Sequence, residues 1–460
     1  MTPLVPLMMW GWIPFTLWLF TRFKHRHAVI AGFALSWMFL PQYKYVFTGI
    51  PNYTKVSAMS YSILLGTLIF NSEIFKRYKF HPLDLPVILF CFSPFISSVV
   101  NGLGAYDGLS SVLNRTAPWG LPYFIGRLYF TERSHLAELG FGIFLGALIY
   151  IPFCLFEVVM SPNLHNMVYG FHPHSDFSQT KRGGGWRPQV FMEHGLMAAM
   201  WLVTGFLSGF QLLRSGWLYE KFPKWKFIWL PLLGLLGVTV VLAKSSGALL
   251  LMLLGIGLLY VVHFTRSSLP IWVVLLLPIL YLLGRGSGVW DGHDLLEYAS
   301  RMGDPDRVSS LATRLHHENI LGDRAREQPI FGWGGWDRSF VRDEEGKIIS
   351  VPDGFWILIF GYNGIFGLGS LFTLLLLPAL LFLLKYPARQ WRDPQVAAIA
   401  AMPLLMIMFA IDSLMNAMFN PLIVLLAGSL TSLWLLGGQE TRPSSPLAQP
   451  PPQRPATRLF

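Results

Sequence analysis

Residues 354–384 read GFWILIFGYNGIFGLGSLFTLLLLPALLFLL, and this stretch contains no charged side chain. A helix needs about 20 consecutive apolar residues to cross the hydrocarbon core of a bilayer. The stretch exceeds that length, whereas a helix on the surface of a soluble protein is usually shorter and keeps one polar face. We therefore expect these residues to cross a membrane as a helix.

Similar apolar runs recur along the chain, and its composition agrees with them. Hydrophobic residues make up 53% of the chain and charged residues 13%, whereas about a quarter of an average soluble domain is charged. The mean hydropathy is +0.48. These values predict an all-α integral membrane protein, a polytopic bundle of about 12 or 13 transmembrane helices. The candidate spans are 4–21, 28–41, 56–71, 83–101, 108–126, 137–158, 189–212, 227–243, 246–264, 269–284, 354–384, 396–412 and 419–437.

The spans leave no room for a soluble domain, so we expect one membrane domain over residues 1–437. Residues 438–460 are rich in proline and serine with scattered arginines. Such a segment buries too little apolar surface to fold, so we expect a disordered tail.

Basic residues predict the orientation of the bundle, because short cytoplasmic connections are enriched in lysine and arginine. The basic connectors alternate along the chain, which makes each of them cytoplasmic together with the tail. The longest connections, 160–188 and 285–352, then both lie outside. The basic connectors carry Arg22, Lys24 and Arg26; Lys76, Arg77 and Lys79; Arg127 and Arg133; Arg214, Lys221, Lys224 and Lys226; Arg266; and Lys385, Arg389 and Arg392.

The two long loops nevertheless contain many arginines, which are normally depleted outside. In the first loop, Arg182 and Arg187 flank the run Gly183-Gly184-Gly185. Acids in the same loops can neutralise these arginines as solvated pairs. The alternative is an anionic ligand, because a planar guanidinium holds phosphate through two hydrogen bonds. The three histidines before this run have no recognised ligand spacing, and no metal or other cofactor is expected.

The second loop predicts a helix followed by a turn. Residues 309–336 read SSLATRLHHENILGDRAREQPIFGWGGW, with Arg314 near the start of an amphipathic stretch. Arg314 then points either to water or to a cavity beneath the helix. At the end of the loop, Asp353 directly precedes the apolar run. An aspartate in this place is a helix cap or a functional carboxylate, and the sequence leaves both interpretations open.

Four motifs together resemble the O-antigen ligase and polymerase superfamily of bacterial envelope polysaccharide assembly. Arg314 followed by Pro329-Ile-Phe-Gly-Trp-Gly334 is similar to the family's arginine, helix and Pro-x-x-Gly-x-Gly turn. Asp353, with Gly364 and Gly367 after it, has the spacing of the family's re-entry segment. Arg182 to Pro188 resembles its arginine and glycine segment, and Lys244-Ser-Ser-Gly-Ala248 resembles its Ser-Arg-Gly-Ala hairpin.

The resemblance implies a metal-independent glycosyltransferase with a polyprenyl-diphosphate-linked glycan as donor and a glycan as acceptor. Its active site faces outward from the bacterial cytoplasmic membrane. Arg182, Arg187, Lys244 and Arg314 are then expected to hold the diphosphate, whose negative charge grows as the bond breaks. Asp353, together with Arg314, is expected to be catalytic, because the acceptor hydroxyl needs a base within hydrogen-bond reach.

The chain departs from the family pattern where Asp353 replaces the histidine, Gly354 the following asparagine, and Ser246 the hairpin arginine. These departures favour a polymerase of lipid-linked repeat units over a ligase that moves a glycan to a lipid or protein. A transporter or flippase of precursors is a third interpretation, from another class of protein. The expected partners are the bilayer, a chain-length regulator and other polysaccharide assembly proteins; nucleic acid is not expected.

Overall fold

The computed structural model describes residues 1–47, 51–174, 177–302 and 305–436. The predicted tail, 438–460, lies outside the described residues. The helices are α1 (Leu4–Arg22), α2 (His25–Phe39), α3 (Lys55–Phe70), α4 (Leu85–Val100), α5 (Ala105–Arg115), α6 (Leu121–Tyr129), α7 (Arg133–Met160), α8 (Leu164–Tyr169), α9 (Gly195–Arg214), α10 (Trp217–Lys221), α11 (Trp229–Leu242), α12 (Ser246–Thr265), α13 (Leu269–Ser287), α14 (His293–Met302), α15 (Pro305–Arg326), α16 (Phe355–Lys385), α17 (Pro394–Ile399), α18 (Ala401–Met415) and α19 (Pro421–Leu436).

Strands are confined to two small hairpins in the described part of the chain. β1 (Lys44–Tyr45) pairs with β2 (Tyr53–Thr54), and β3 (Lys181–Arg182) pairs with β4 (Gly185–Trp186), both antiparallel. About 75% of the structure is helical, which confirms the all-α fold class.

Among the described residues, 8 helices are long and apolar enough to cross a membrane. The chain is therefore a multi-pass membrane protein, as its composition predicts. Three shorter apolar helices, α3, α11 and α19, lie on further predicted spans. The predicted span 108–126 is divided: α5 ends at Arg115, a π-helical turn covers Thr116–Gly120, and α6 follows.

The bundle has central and peripheral helices. The segment Pro394–Met415 is almost wholly buried, and α9 and α16 are mostly buried, whereas α13 exposes most of its surface. Helices in the bundle approach closely where residues are small. A Cβ on Gly428 of α19 would lie only 2.0 Å from the carbonyl oxygen of Tyr123 in α6. This contact holds α19 against α6.

The second loop docks on a break in α16. Gly364 has a φ of 63°, and the helical hydrogen bonds around it are interrupted. The loop replaces them: the Trp333 amide donates to the Gly361 carbonyl at 2.8 Å, and the Ile365 amide to the Pro329 carbonyl at 2.8 Å. A broken helix is tolerated at membrane depth only where protein satisfies its backbone. The two motifs around Pro329 and Gly364 therefore form one structural unit.

Candidate functional site

A cavity of about 450 Å³ lies where the two large loops meet the bundle. We call it the arginine cavity. Three of the predicted site residues line it, namely Arg182, Arg187 and Arg314. Its other walls come from the start of α12 and from the end of α18. The lining includes Leu196, Ser245, Ser246, Gly247, Ser310, Leu311, Asp412, Met415 and Asn416.

The glycine run of the first loop forms a hairpin turn. Gly183 and Gly184 join β3 to β4, and both have positive φ values, 51° and 70°. Such a two-residue turn requires positive φ at both positions and suits glycine. The ammonium of Lys244 donates to the Gly183 carbonyl at 3.1 Å. In this structure Lys244 therefore anchors the hairpin that carries Arg182, and Lys244 is not among the residues that line the cavity.

A buried glutamate fixes the segment that follows the hairpin. Glu157 of α7 is 1% exposed, and its carboxylate accepts hydrogen bonds from three backbone amides. The donors are Leu164 at 2.9 Å, Gln189 at 2.8 Å and Val190 at 2.7 Å. Gln189 and Val190 come just after Arg187, so the carboxylate determines where Arg187 enters the bundle.

Arg187 is a buried cation without a carboxylate partner among the described residues. Its side chain donates through Nη2 to the Lys244 carbonyl at 3.2 Å, while its Nε has no hydrogen-bond partner. Burial, followed by the positive charges of Arg182 and Arg314, lowers the pKa of Arg187 to about 10. The guanidinium stays charged at neutral pH. A buried, under-bonded cation beside two others is suited to an anion.

Arg314 and Asp353 face each other at the edge of the cavity. The distance from Arg314 Nε to Asp353 Oδ2 is 3.6 Å, and the two side chains are 25% and 39% exposed. Gly354 occupies the N-cap position before α16, and no side chain caps this helix start. Asp353 is therefore an ion-pair partner of Arg314 and not a helix cap.

A buried hydrogen-bond network fixes α15, the helix that carries Arg314. Glu318 lies one turn after Arg314 in α15, and residues four apart share a helix face. Its carboxylate accepts from Arg285 Nη2 at 3.0 Å, from Tyr281 at 2.7 Å and from the Trp356 indole at 3.2 Å. The side chains of Arg285 and Glu318 are each 2% exposed. The Arg285–Glu318 ion pair joins α13 to α15, and the Trp356 hydrogen bond joins α15 to α16.

His194 adds a second polar group near the arginines. Its Nδ1 accepts from the Leu196 amide at 3.0 Å, and this contact caps α9. The other ring nitrogen lies 3.0 Å from Gln179 Oε1 and, in this tautomer, donates to it. Burial, and then the charge of Arg187, lower the pKa of His194 to about 4. The ring is neutral and both of its nitrogens are engaged, so it has no free lone pair with which to accept a proton from a ligand.

The first-loop histidines have structural contacts. His165 accepts from the Gln42 amide at 3.1 Å and donates to the Phe171 carbonyl at 2.8 Å. His174 packs against His194, with ring centroids 5.6 Å apart. Within the described ranges, no group of three metal-ligating side chains is present.

The sequence placed Arg182 and Arg187 in one motif and Arg314 in another, and the structure brings all three to one cavity. It did not assign Glu157, Glu318 or His194 to the site. The one sequence signal for these residues is their position, because an acid or a histidine in or beside an apolar helix is costly to bury without a partner. Asp412 also lines the cavity, near the end of α18, and accepts from Asn416 Nδ2 at 2.7 Å.

No family model matches the sequence, and no curated protein is similar to it.

Proposed function

We propose that the protein is a membrane glycosyltransferase that polymerises polyprenyl-diphosphate-linked oligosaccharide repeat units. The observation that supports this most is the arginine cavity, in which Arg187 is buried, charged and under-bonded beside Arg182 and Arg314. A diphosphate satisfies these donors. Its developing charge during transfer is stabilised by cations that are already in position, so binding and catalysis use the same groups.

The proposed reaction replaces one bond at the anomeric carbon of the donor sugar with another. An acceptor hydroxyl oxygen attacks the anomeric carbon of the donor sugar, and a new glycosidic bond forms. The bond from this carbon to the diphosphate breaks, and the diphosphate leaves with the electron pair. The hydroxyl proton passes to Asp353, whose carboxylate is 39% exposed and therefore open to a second substrate. Arg314 keeps Asp353 and the leaving group next to each other.

Orientation and cellular location belong to the same proposal. The alternating basic connectors favour a cavity that opens to the outer face of the bacterial cytoplasmic membrane. Lipid-linked repeat units of an O-antigen, capsule or exopolysaccharide are then the substrates. The aspartate in place of the family histidine favours a polymerase over a ligase.

The lipid-linked glycans that accumulate in a deletion strain test the class of activity. A polymerase predicts single repeat units on the outer face. Full-length chains would identify a ligase instead, and repeat units that face the cytoplasm would identify a flippase.

Substitutions test the assigned residues. Arg314→Ala removes a charge-assisted contact worth about 1.5–3 kcal/mol, so polymer formation should fall roughly ten- to a hundredfold. Arg314→Lys should recover only part of it, because lysine lacks the planar fork. Arg301→Ala is the matched control, since Arg301 lies in the same loop and its side chain is 72% exposed. Wild-type polymer from Arg314→Ala, at normal protein abundance, would refute the role of Arg314.

Asp353→Asn keeps the size of the side chain and removes its ability to accept a proton at neutral pH. We expect loss of polymer with normal membrane insertion. Asp412→Asn is the comparison, because Asp412 lines the same cavity and is 6% exposed. If Asp412→Asn abolishes transfer and Asp353→Asn does not, the base is Asp412.

A further inference from the structure

A second cavity, of about 330 Å³, lies beside the start of α16. We call it the Arg115 cavity. Its walls come from α4, from the end of α5 with the π-helical turn, from the Gly334–Gly335 turn of the second loop, and from α16. The groups that matter here are Arg115, Trp119, Phe355 and Asn363.

Arg115 has no carboxylate within ion-pair distance in the part of the chain that the structure describes. Its Nη1 is buried without a hydrogen-bond partner, and its guanidinium lies 4.6 Å from the centre of the Phe90 ring. The buried arginines Arg127 and Arg285 differ, because each is paired with a carboxylate, at 2.8 Å and 3.0 Å respectively. An arginine inside an apolar bundle is costly unless it has a partner. The Arg115 guanidinium can therefore still donate hydrogen bonds to an anionic ligand.

Asn363 supplies an unused acceptor in the same cavity. It is 2% exposed, and its Oδ1 has no hydrogen-bond partner. It immediately precedes the break at Gly364, where the second loop docks. A buried carbonyl oxygen without a donor is costly in the same way as an unpaired cation. A ligand hydroxyl would satisfy it.

Aromatic rings complete the cavity. Trp119 and Phe355 stack with centroids 5.7 Å apart and an interplanar angle of 6°. Trp119 belongs to the π-helical turn after Arg115, and π-turns inside helices are frequent at functional sites. Aromatic surfaces pack against the C–H face of a sugar ring. A cation, a hydroxyl acceptor and aromatic rings together fit an anionic saccharide.

We propose that the Arg115 cavity binds the second substrate of the transfer reaction, an anionic glycan that serves as acceptor. This inference rests on the proposed glycosyltransferase function. The site is well placed for it, because Phe355 lines this cavity and Asp353, two residues earlier, pairs with Arg314 at the other. Two residues span at most about 7 Å of chain, so Asp353 is near one residue in the wall of each cavity, Arg314 in the first and Phe355 in the second. The anion is either the diphosphate of the acceptor's lipid carrier or a carboxylate of its sugars.

Equilibrium binding to the full chain in phosphatidylcholine nanodiscs tests the site without requiring activity. The probes are farnesyl diphosphate and a tetrasaccharide that contains glucuronate. If the anion is the carrier diphosphate, the wild-type protein binds farnesyl diphosphate at two sites. Arg115→Ala then weakens the affinity of one site ten- to a hundredfold, and Arg314→Ala weakens that of the other by a similar factor. If the anion is a sugar carboxylate, Arg115→Ala instead weakens only the tetrasaccharide. Arg301→Ala should change neither.

Thermal unfolding separates a binding role from a structural one. Removal of a partly buried charge that has no ion-pair partner among the described residues relieves a cost, so Arg115→Ala should unfold no earlier than wild type. Asn363→Leu is the second variant and should weaken the same probe. Binding of both probes that is independent of Arg115, or no binding to wild type, would overturn the proposal. Two intact sites in a protein that makes no polymer would refute the transferase function and leave the second site standing.

Discussion

Glu318→Gln is expected to destabilise the protein and to loosen Arg314. The substitution keeps the shape of the side chain but leaves Arg285 as a buried charge without its partner. Breaking a buried ion pair from one side typically costs about 3–5 kcal/mol. Glutamine still offers one oxygen to the neighbouring donors, so the lower end of this range applies. A loss of about 3 kcal/mol corresponds to a roughly 150-fold shift toward the unfolded state.

The assay is unfolding by SDS in mixed micelles, followed by tryptophan fluorescence. Glu297→Gln is the matched control, because it breaks the pair with Arg301 on the preceding loop helix, where the side chains are 53% and 72% exposed. An exposed pair of this kind contributes about 0–1 kcal/mol. The control should therefore unfold close to wild type.

A double-substitution cycle makes the test specific to the pair. Arg285→Met alone leaves the Glu318 carboxylate with only Tyr281 and Trp356 as donors, and it should also destabilise the protein. The double variant should lose less stability than the sum of the single variants, because no unpaired charge remains. If Glu318→Gln unfolds within about 0.5 kcal/mol of wild type, or if the two effects add, the network does not anchor α15.

Three further outcomes are expected. Because the pKa of His194 falls from 6.5 to about 4 on folding, the unfolded state binds more protons between these values. The free energy of unfolding should therefore fall by up to about 3 kcal/mol as the pH drops through this window. His194→Asn keeps a helix cap and should lose less stability over the same pH range in thermal unfolding. Equal losses in the two proteins would contradict this prediction. Glu157→Gln should release residues 181–190 and speed tryptic cleavage there, whereas unchanged cleavage would mean that the carboxylate does not hold this segment. A cysteine at Ser309 should react with an impermeant thiol reagent in spheroplasts and one at Lys224 should not; the reverse result would invert the orientation.

The sequence alone determined the fold class. The stretch 354–384 and the other apolar runs are local signals. In a bilayer every backbone group must be satisfied within the protein, and an apolar run of about 20 residues does this as a helix. The sequence also marked Arg182, Arg187 and Arg314 as unusual, because loops that are predicted to lie outside usually carry few cations.

The tertiary structure decided which of these residues meet. Lys244 shows the limit of local reasoning: it stands beside Ser245 and Ser246 of the cavity, yet its ammonium bonds to the glycine hairpin. Asp353 comes just before a helix, where a cap is expected, but Gly354 occupies the N-cap position and the Asp353 carboxylate pairs with Arg314. Arg115 is a lone arginine within the predicted span 108–126, and only the packing of α16 and the second loop beside it forms a cavity. Hydropathy depends on residues that are neighbours in sequence. These contacts instead join segments tens to hundreds of residues apart through side-chain packing and hydrogen bonds. No local sequence pattern encodes such contacts.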